Sequence, residues 1–365
     1  MDPMVGQTHE QREGREVERV GGEYVAAHEM VKVGDVELVV RPAREEAEHL
    51  HLAPFATRAE GAGERAVSEA PDPYRTCFER DLDRIQHSRP FRRLAGKCQV
   101  FVAPDDDHLR TRLTHAIEVA QVAVSVARGA RLNVALTQAV AMGHDCGHGP
   151  AGHASEQALS PFLDGGYHHA VYGADVVLGP LNLCAETLDA VRNHSWNRPS
   201  PSTPEGEVVA WADRIAYVCH DFEDAVAAGV VTLADLPLEV ADVVGRERRV
   251  QLGTFITAML DTIAETGTIA LRRREADALD AFRSFNYERI YLRPEAAEQA
   301  RRVIALIRGL TEHLVEHPRE DRLVPGSDEA VAEAVRYVSG MTDRFALDFA
   351  VERLGWQRES LPQGV

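Results

Sequence analysis

The stretch TRLTHAIEVAQVAVSVAR (Thr111–Arg128) decides the fold class, because it carries two apolar stripes at helical spacing. Leu113, Ile117, Ala120 and Val124 form one stripe; His115, Val119, Val122 and Val126 form the other. Two stripes mean a helix buried on most of its sides, with a histidine inside it. Working outward, residues 134–143 make a second apolar helix that ends at Gly143. A third follows Thr203-Pro204, an N-cap with proline at the first helical position, and runs through VVAWADRIAYVCHDFEDAV. Residues 251–283 and 295–317 read as long helical stretches that complete a bundle. The expected fold is therefore all-α. Three segments stand apart. Residues 1–22 are polar and Gly/Glu-rich, the composition of a disordered tail. Val31–Val40 alternates around Gly34-Asp35, the pattern of a small N-terminal β-hairpin. Residues 56–73 read as a linker.

The 365 residues suffice for a sizeable core, and 44% hydrophobic with 27% charged residues is a globular composition. No run reaches the roughly 20 apolar residues of a membrane helix. The first residues, MDPMVGQTHEQREGREVERV, lack the apolar core of a secretory signal, so a cytoplasmic location and no membrane partner are expected. The five cysteines are scattered without CxxC spacing, which predicts free thiols. A formal net charge of −18 disfavours a broad nucleic-acid footprint. An anionic small substrate would need a local basic pocket, for which Arg89, Arg92, Arg93, Lys97, Arg110 and Arg112 are candidates. The blander alternative for them is surface ion pairing.

The densest chemical signal is HDCGHGPAGHASE (His144–Glu156), with three histidines, two carboxylates and three glycines in 13 positions. Imidazole and carboxylate suit a borderline or hard divalent ion, and glycine lets backbone approach a phosphate. Adjacent helical residues project about 100° apart, so His144 and Asp145 share one ion only at a helix end or turn; Gly143 and Gly147 fit that. Two buried polar residues strengthen the signal. His115 lies mid-helix on an apolar face, where a lone histidine is more often a hydrogen-bonded core residue than a ligand. Asp213 lies in an apolar helix, where an unpaired carboxylate is costly. An ion pair with Arg214 is the simple alternative, but neighbours in sequence do not face each other on a helix. Asp213, Tyr217 and Asp221 recur every four residues as one polar stripe.

The order His…His-Asp…Asp on buried helices resembles the HD phosphohydrolase superfamily. The chain is most similar there to the deoxyguanosine-triphosphate triphosphohydrolase-like branch. The resemblance spans about residues 50–355 through LAPFATR, YRTCFERDLDRIQHSRPFRRLAGKCQVF, RTRLTHAIEVAQVA, HDCGHGPAGHASE, WADRIAYVCHDFEDAVAAG, YERIYLRPEA and VRYVSGMTDRFALDF. It implies an N-terminal extension over 1–50 and an HD-type helical-bundle domain over 51–365, with a metal core near 110–225 and a C-terminal helical part near 250–355. It also implies one divalent ion (Mn, Mg, Fe, Co, Ni or Zn) on His115, His144, Asp145 and Asp213. His148, His153, Glu156 and His169 would then be the catalytic residues around phosphate. Arg112 and Arg214 would contact phosphate, Tyr217 and Asp221 the sugar 3′-hydroxyl, and Tyr291 the 2′ position. Gln99 would approach base or sugar. The spacing of His153 and Glu156 places a carboxylate where it can orient an imidazole; either His153 or His148 would serve as the proton donor or acceptor.

The implied reaction releases deoxynucleoside and intact inorganic triphosphate from a deoxynucleoside triphosphate, in a homo-oligomer. The alternatives are another HD phosphomonoesterase or phosphodiesterase, and a nucleotide-sensing oligomer with little catalysis. Two departures bear on specificity. The family's Phe-Glu-His-Asn-x-Gln run is Tyr167-His168-His169-Ala170-Val171-Tyr172 here, and HDLGHPPFGH is HDCGHGPAGH. Both leave the base preference open. His169 and His194 also occupy the interval in which dinuclear HD phosphodiesterases carry two additional histidines; a single ion is the reading adopted, with His194 as a loop histidine.

Overall fold

The computed structural model describes residues 18–20, 24–26, 33–102, 106 and 108–362. The chain divides into two compact units, 1–39 and 40–365. In the first, Glu18–Val20 pairs antiparallel with Tyr24–Ala26, with Arg19 opposite Val25. The hairpin thus lies earlier than the Val31–Val40 alternation implied. Gly21-Gly22, between the two strands in sequence, is a stronger turn signal than Gly34-Asp35. Residues 33–40 form no strand, and their Val33, Val36, Leu38 and Val39 side chains are exposed; Val31 and Lys32 are outside the described residues. The disorder expected for 1–22 falls mostly on residues outside that set, apart from the strand at Glu18–Val20.

Among the described residues, the regular elements of the second unit are all helices. Its first helices are α1 (Arg41–His51), α2 (Cys77–His87), the short α3 (Arg89–Arg93), α4 (Arg112–Gly129) and α5 (Val134–Gly143). Then come α6 (His153–Leu159), α7 (His169–Tyr172), α8 (Ala185–Asn193), α9 (Pro204–Ala227) and α10 (Leu238–Val244). The C-terminal part holds α11 (Arg248–Thr266), α12 (Arg273–Asn286), α13 (Pro294–Glu316), α14 (Asp328–Ser339) and α15 (Asp343–Leu354).

Local chemistry fixes several ends. The Thr111 hydroxyl accepts from Thr114 N–H at the start of α4, and Thr203 accepts from Gly206 N–H ahead of Pro204 at the start of α9. The stretch expected as one helix over 251–283 is two. Gly267 takes a left-handed φ of 69° and closes α11, with its N–H on Ile263 O. The 56–73 segment is no free linker either. Arg65 is buried in it and donates to Asp81 Oδ1 at 2.6 Å and to Cys77 O at 3.0 Å, pinning the loop to α2.

The unit has two apolar cores. The larger gathers α2, α4, α5, α8, α9, α11 and α12, with α4 against α5, α9 and α11. The smaller is built from α6, α13, α14 and α15. One face of α4 departs from expectation: Ile117 is exposed, while Val119, Val122, Ala123 and Val126 are buried. All five cysteines are free, and among the described residues no helix is long and apolar enough to cross a membrane.

Candidate active site

Three buried helices bring the ion ligands implied by sequence together. His115 projects from α4, His144 caps the C-terminus of α5 with Asp145 in the turn behind it, and Asp213 projects from α9. His115 Nε2 lies 3.0 Å from Asp213 Oδ1; His144 Nε2 lies 3.5 Å from Asp145 Oδ1 and 3.7 Å from Asp213 Oδ1. His144 Nδ1 donates to Ala141 O at 2.7 Å, so Nε2 carries a lone pair, and that buried atom has no hydrogen-bond partner. An orphaned imidazole nitrogen aimed at two carboxylates is a costly arrangement that a cation relieves. The donor set, neutral imidazole plus carboxylate, fits a divalent ion of the borderline class.

Electrostatics agree with that fit. Burial works to raise the Asp213 carboxyl, but the His115 hydrogen bond and the electrostatic pull of the neighbouring imidazoles outweigh it and hold it well below the usual range. Burial opposes ionisation of Asp145 too, and His144, Arg112 and His148 overcome it. The simple alternative of an Asp213–Arg214 pair fails: the Arg214 guanidinium carbon lies over the Trp196 ring, 3.4 Å from its centroid.

Beside this cluster, α6 and α7 deliver a second one. Asp145 Oδ1 lies 3.2 Å from His148 Nε2, and His148 stacks on His169 with ring centroids 3.8 Å apart. Glu156 does not orient His153, as the three-residue spacing implied. Its carboxylate accepts from His169 Nδ1 at 2.7 Å. Although burial opposes it, that hydrogen bond brings Glu156 down to about 2. His153 instead faces the cleft edge-on to His148. Desolvation of its ring by the cleft wall, then the electrostatics of Arg112 and His169, push it down to about 4, although the residue as a whole is exposed. His194 is buried at the C-cap of α8 rather than in a loop, with its Nδ1 on Val191 O at 2.8 Å.

A cleft of about 850 Å³ runs from these clusters along the α9 stripe. All six residues expected to meet substrate line it: Gln99, Arg112, Arg214, Tyr217, Asp221 and Tyr291. The buried Gln99 Oε1 has no partner. Arg112 is almost wholly enclosed and donates to Asp145 Oδ2 at 2.7 Å. It reaches that position because Gly152 has no side chain; a Cβ there would sit 2.3 Å from the guanidinium. A π-helical turn, Tyr287–Tyr291, follows α12 and directs the Tyr291 hydroxyl to Asp221 Oδ2, 2.5 Å away. Burial pushes Asp221 up to about 7, with the Tyr291 hydrogen bond pulling partly the other way.

The basic pocket is not the one expected from the arginine-rich segment. Arg110 is spent on Glu118, Glu223 and Asp224, and Lys97 on the carbonyls of His148 and Ser339. Arg112 remains, joined by Arg214, Arg283 and Arg293. Arg283, Arg293 and Trp196 carry no local sequence signal that distinguishes them from surface or loop positions, and His194, weighed as a ligand of a second ion, reads from sequence as a loop histidine.

The arrangement of a histidine, a His-Asp pair and an aspartate on three buried helices is that of an HD-domain protein. The HD-domain family matches residues 112–218, and the phosphohydrolase-associated domain matches residues 269–352. The chain belongs to the deoxyguanosinetriphosphate triphosphohydrolase-like family. It is 38% identical to the protein of that name from Caldanaerobacter subterraneus subsp. tengcongensis, over 84% of this chain and 94% of the relative. It is 35% identical to the one from Desulfatibacillum aliphaticivorans, over 85% of this chain and 96% of that protein. The crystal structure of a hypothetical protein from Aquifex aeolicus shares the fold, with a TM-score of 0.50 and 16% identity over 77% of this chain and 69% of that one.

Proposed function

We propose that the protein hydrolyses deoxynucleoside triphosphates to deoxynucleoside and inorganic triphosphate with the help of a divalent ion. The observation that carries this reading is the single cleft that joins the His/Asp cluster, four arginines and the Asp221–Tyr291 pair. Such a cleft offers a place for a reacting phosphate, an anionic tail and a sugar in one line.

His115, His144, Asp145 and Asp213 hold the ion, which supplies Lewis-acid polarisation of a phosphoryl oxygen. Arg112 and Arg214 bind the anionic tail; the Trp196 ring under Arg214 restrains its guanidinium. Tyr217 and Asp221 take the sugar hydroxyl, and Tyr291 crowds the neighbouring carbon, disfavouring a ribose. His169 is the proton carrier for the leaving 5′-oxygen. Its Nδ1 is committed to Glu156, so Nε2 exchanges the proton, the arrangement by which a carboxylate orients a catalytic imidazole. His148 suits that role poorly, because burial and then Arg112 hold it well below the ordinary histidine range. The chain's acidity argues for small-molecule substrates over nucleic acid, and a homo-oligomer in the cytoplasm remains the expected setting.

One observation favours a second reading, a two-ion phosphohydrolase. His169 Nε2 and His194 Nε2 lie 3.2 Å apart, while Glu156 and Val191 O each take the other nitrogen's proton. Two lone pairs then face each other, and Asp145, His169 and His194 place ligand atoms within 4.8 Å. Elemental analysis separates the readings: one ion per chain supports the first, two the second.

The test of the reaction is product analysis by phosphorus NMR, with each deoxynucleoside triphosphate and Mn²⁺. Deoxynucleoside with intact triphosphate is expected. Monophosphate with pyrophosphate, or no turnover even in mixtures of nucleotides, would refute the proposal.

A further inference from the structure

The turn from Gly147 to Gly152 carries His148 and leads into α6, where His153 and Glu156 sit; it is held from outside itself. Ala151 and Gly152 adopt consecutive left-handed φ values of 56° and 63°. For alanine that conformation is unfavourable, since its Cβ crowds the following carbonyl. The turn makes local bonds, Gly152 N–H to Gly149 O at 3.3 Å and Ser155 Oγ to Gly152 O at 2.7 Å among them, but the Ala151 N–H and the His148 and Gly147 carbonyls are held by distant residues. Asp343, buried in the first turn of α15, divides its carboxylate: Oδ1 accepts Ala151 N–H at 2.8 Å and Oδ2 accepts Cys98 N–H at 2.8 Å. The wholly enclosed Lys97 ammonium links His148 O to Ser339 O, at the end of α14. Tyr167 donates to Gly147 O at 2.6 Å.

The consequence is a division of labour. His144 and Asp145 are positioned by the end of α5, within the larger core. His148, His153 and Glu156 are positioned by the turn and by α6, which packs in the smaller core against α13. We propose that Asp343 and Lys97 are positioning residues through which the C-terminal helices hold the His148–Glu156 segment in register with the ion ligands. This inference rests on the enzymatic reading above. The segment that carries Gln99 depends less on that carboxylate, because it keeps its own backbone bonds, Gln99 N–H to Arg110 O and Arg112 N–H to Lys97 O, beside the Cys98 bond.

The test is Asp343→Asn in the full-length protein, in which one side-chain acceptor becomes an amide facing a backbone N–H. Bound ion and KM are expected to stay within about twofold, while kcat falls about 10- to 100-fold, the effect of misplacing catalytic groups by around 1 Å. Ala151→Gly added to that variant should recover part of kcat, because glycine takes the left-handed conformation without a clamp. Lys97→Met should show the same kcat-selective loss and serves if Asp343→Asn does not fold. Unchanged kcat in both variants, or a loss confined to KM or ion content, overturns the proposal. Hydrogen exchange provides a readout independent of turnover: amides of residues 147–152 should exchange faster in Asp343→Asn while those of α5 and α9 do not. If the wild type turns over no deoxynucleotide, the enzymatic reading fails, yet this exchange pattern still decides the clamp; equal exchange in variant and wild type rejects it.

Discussion

Asp213 and Asp221 stand two turns apart on the same face of α9, share one cleft, and live in opposite electrostatic environments. Asp213 faces His115 and His144, which keep it ionised far below the ordinary aspartate range despite burial. Asp221 faces the Tyr291 hydroxyl; burial dominates and lifts it to about 7. Residue type and helix are the same, so the difference comes from the neighbours. A carboxylate that is always charged is fit to hold a cation. One poised near neutrality is fit to exchange hydrogen bonds with a neutral hydroxyl. On the proposed function, the helix offers an ion end at Asp213 and a sugar end at Asp221, with the chemistry between them.

The comparison can be broken most severely at the ion end. His144→Ala removes the nitrogen that has no protein partner, and should abolish bound ion by elemental analysis and turnover with it. An active, ion-free variant would detach the site from the chemistry. Glu156→Gln should act between the two ends: ion content and nucleotide affinity are kept, while kcat falls about 100-fold because His169 loses its orienting carboxylate. If turnover survives that change, His153 becomes the better proton carrier.

At the sugar end, Asp221→Asn should raise KM about tenfold, the cost of weakening a charge-assisted hydrogen bond. It should also change the pH dependence of stability. An unfolded aspartate titrates near 3.9, whereas folded Asp221 does so near 7. The folded state therefore binds the proton more tightly, and stability falls as pH rises from about 4 to 7 and stays reduced above. Asparagine removes that loss, so the variant's Tm advantage should be about 5 °C greater at pH 8 than at pH 4 by calorimetry, the equivalent of about three pKa units in a chain of this size. A gain independent of pH would show that Asp221 is already ionised. The smallest effect is expected from Tyr291→Phe, a few-fold rise in KM for deoxynucleotide with weaker rejection of ribonucleotide. Because Tyr291 supplies the hydrogen bond that pulls Asp221 down, its removal should also move the pH midpoint of KM upward.

The two ends differed in how far the sequence could reveal them. His115 and Asp213 were legible because each interrupts an otherwise apolar helix, and a buried polar group needs a reason. The four-residue recurrence of Asp213, Tyr217 and Asp221 was legible for the same reason, and the structure lines all three along the cleft. The helical class, and the start of α9 at Thr203-Pro204, followed from periodicity and capping. What escaped depends on long-range contacts. Glu156 was matched to His153 by spacing, but its partner His169 comes from another element, 13 residues on. The arginine-rich segment before α4 looked like the anion pocket, yet acidic residues of α4 and α9 claim Arg110. Arg283 and Arg293, which sit near Tyr217 and Phe101, reach the cleft only through the packing of α12 and α13. Asp343 bonds a residue 192 positions away, which no local pattern announces.

The division of α9 into an ion end and a sugar end is tested most directly by one paired measurement: Mn²⁺ content and deoxynucleoside affinity of Asp213→Ala and Asp221→Ala, made side by side. Asp213→Ala is predicted to lose the ion while still binding deoxynucleoside, and Asp221→Ala to keep the ion while losing deoxynucleoside. Loss of both properties together in both variants, or the reverse assignment, would contradict the account.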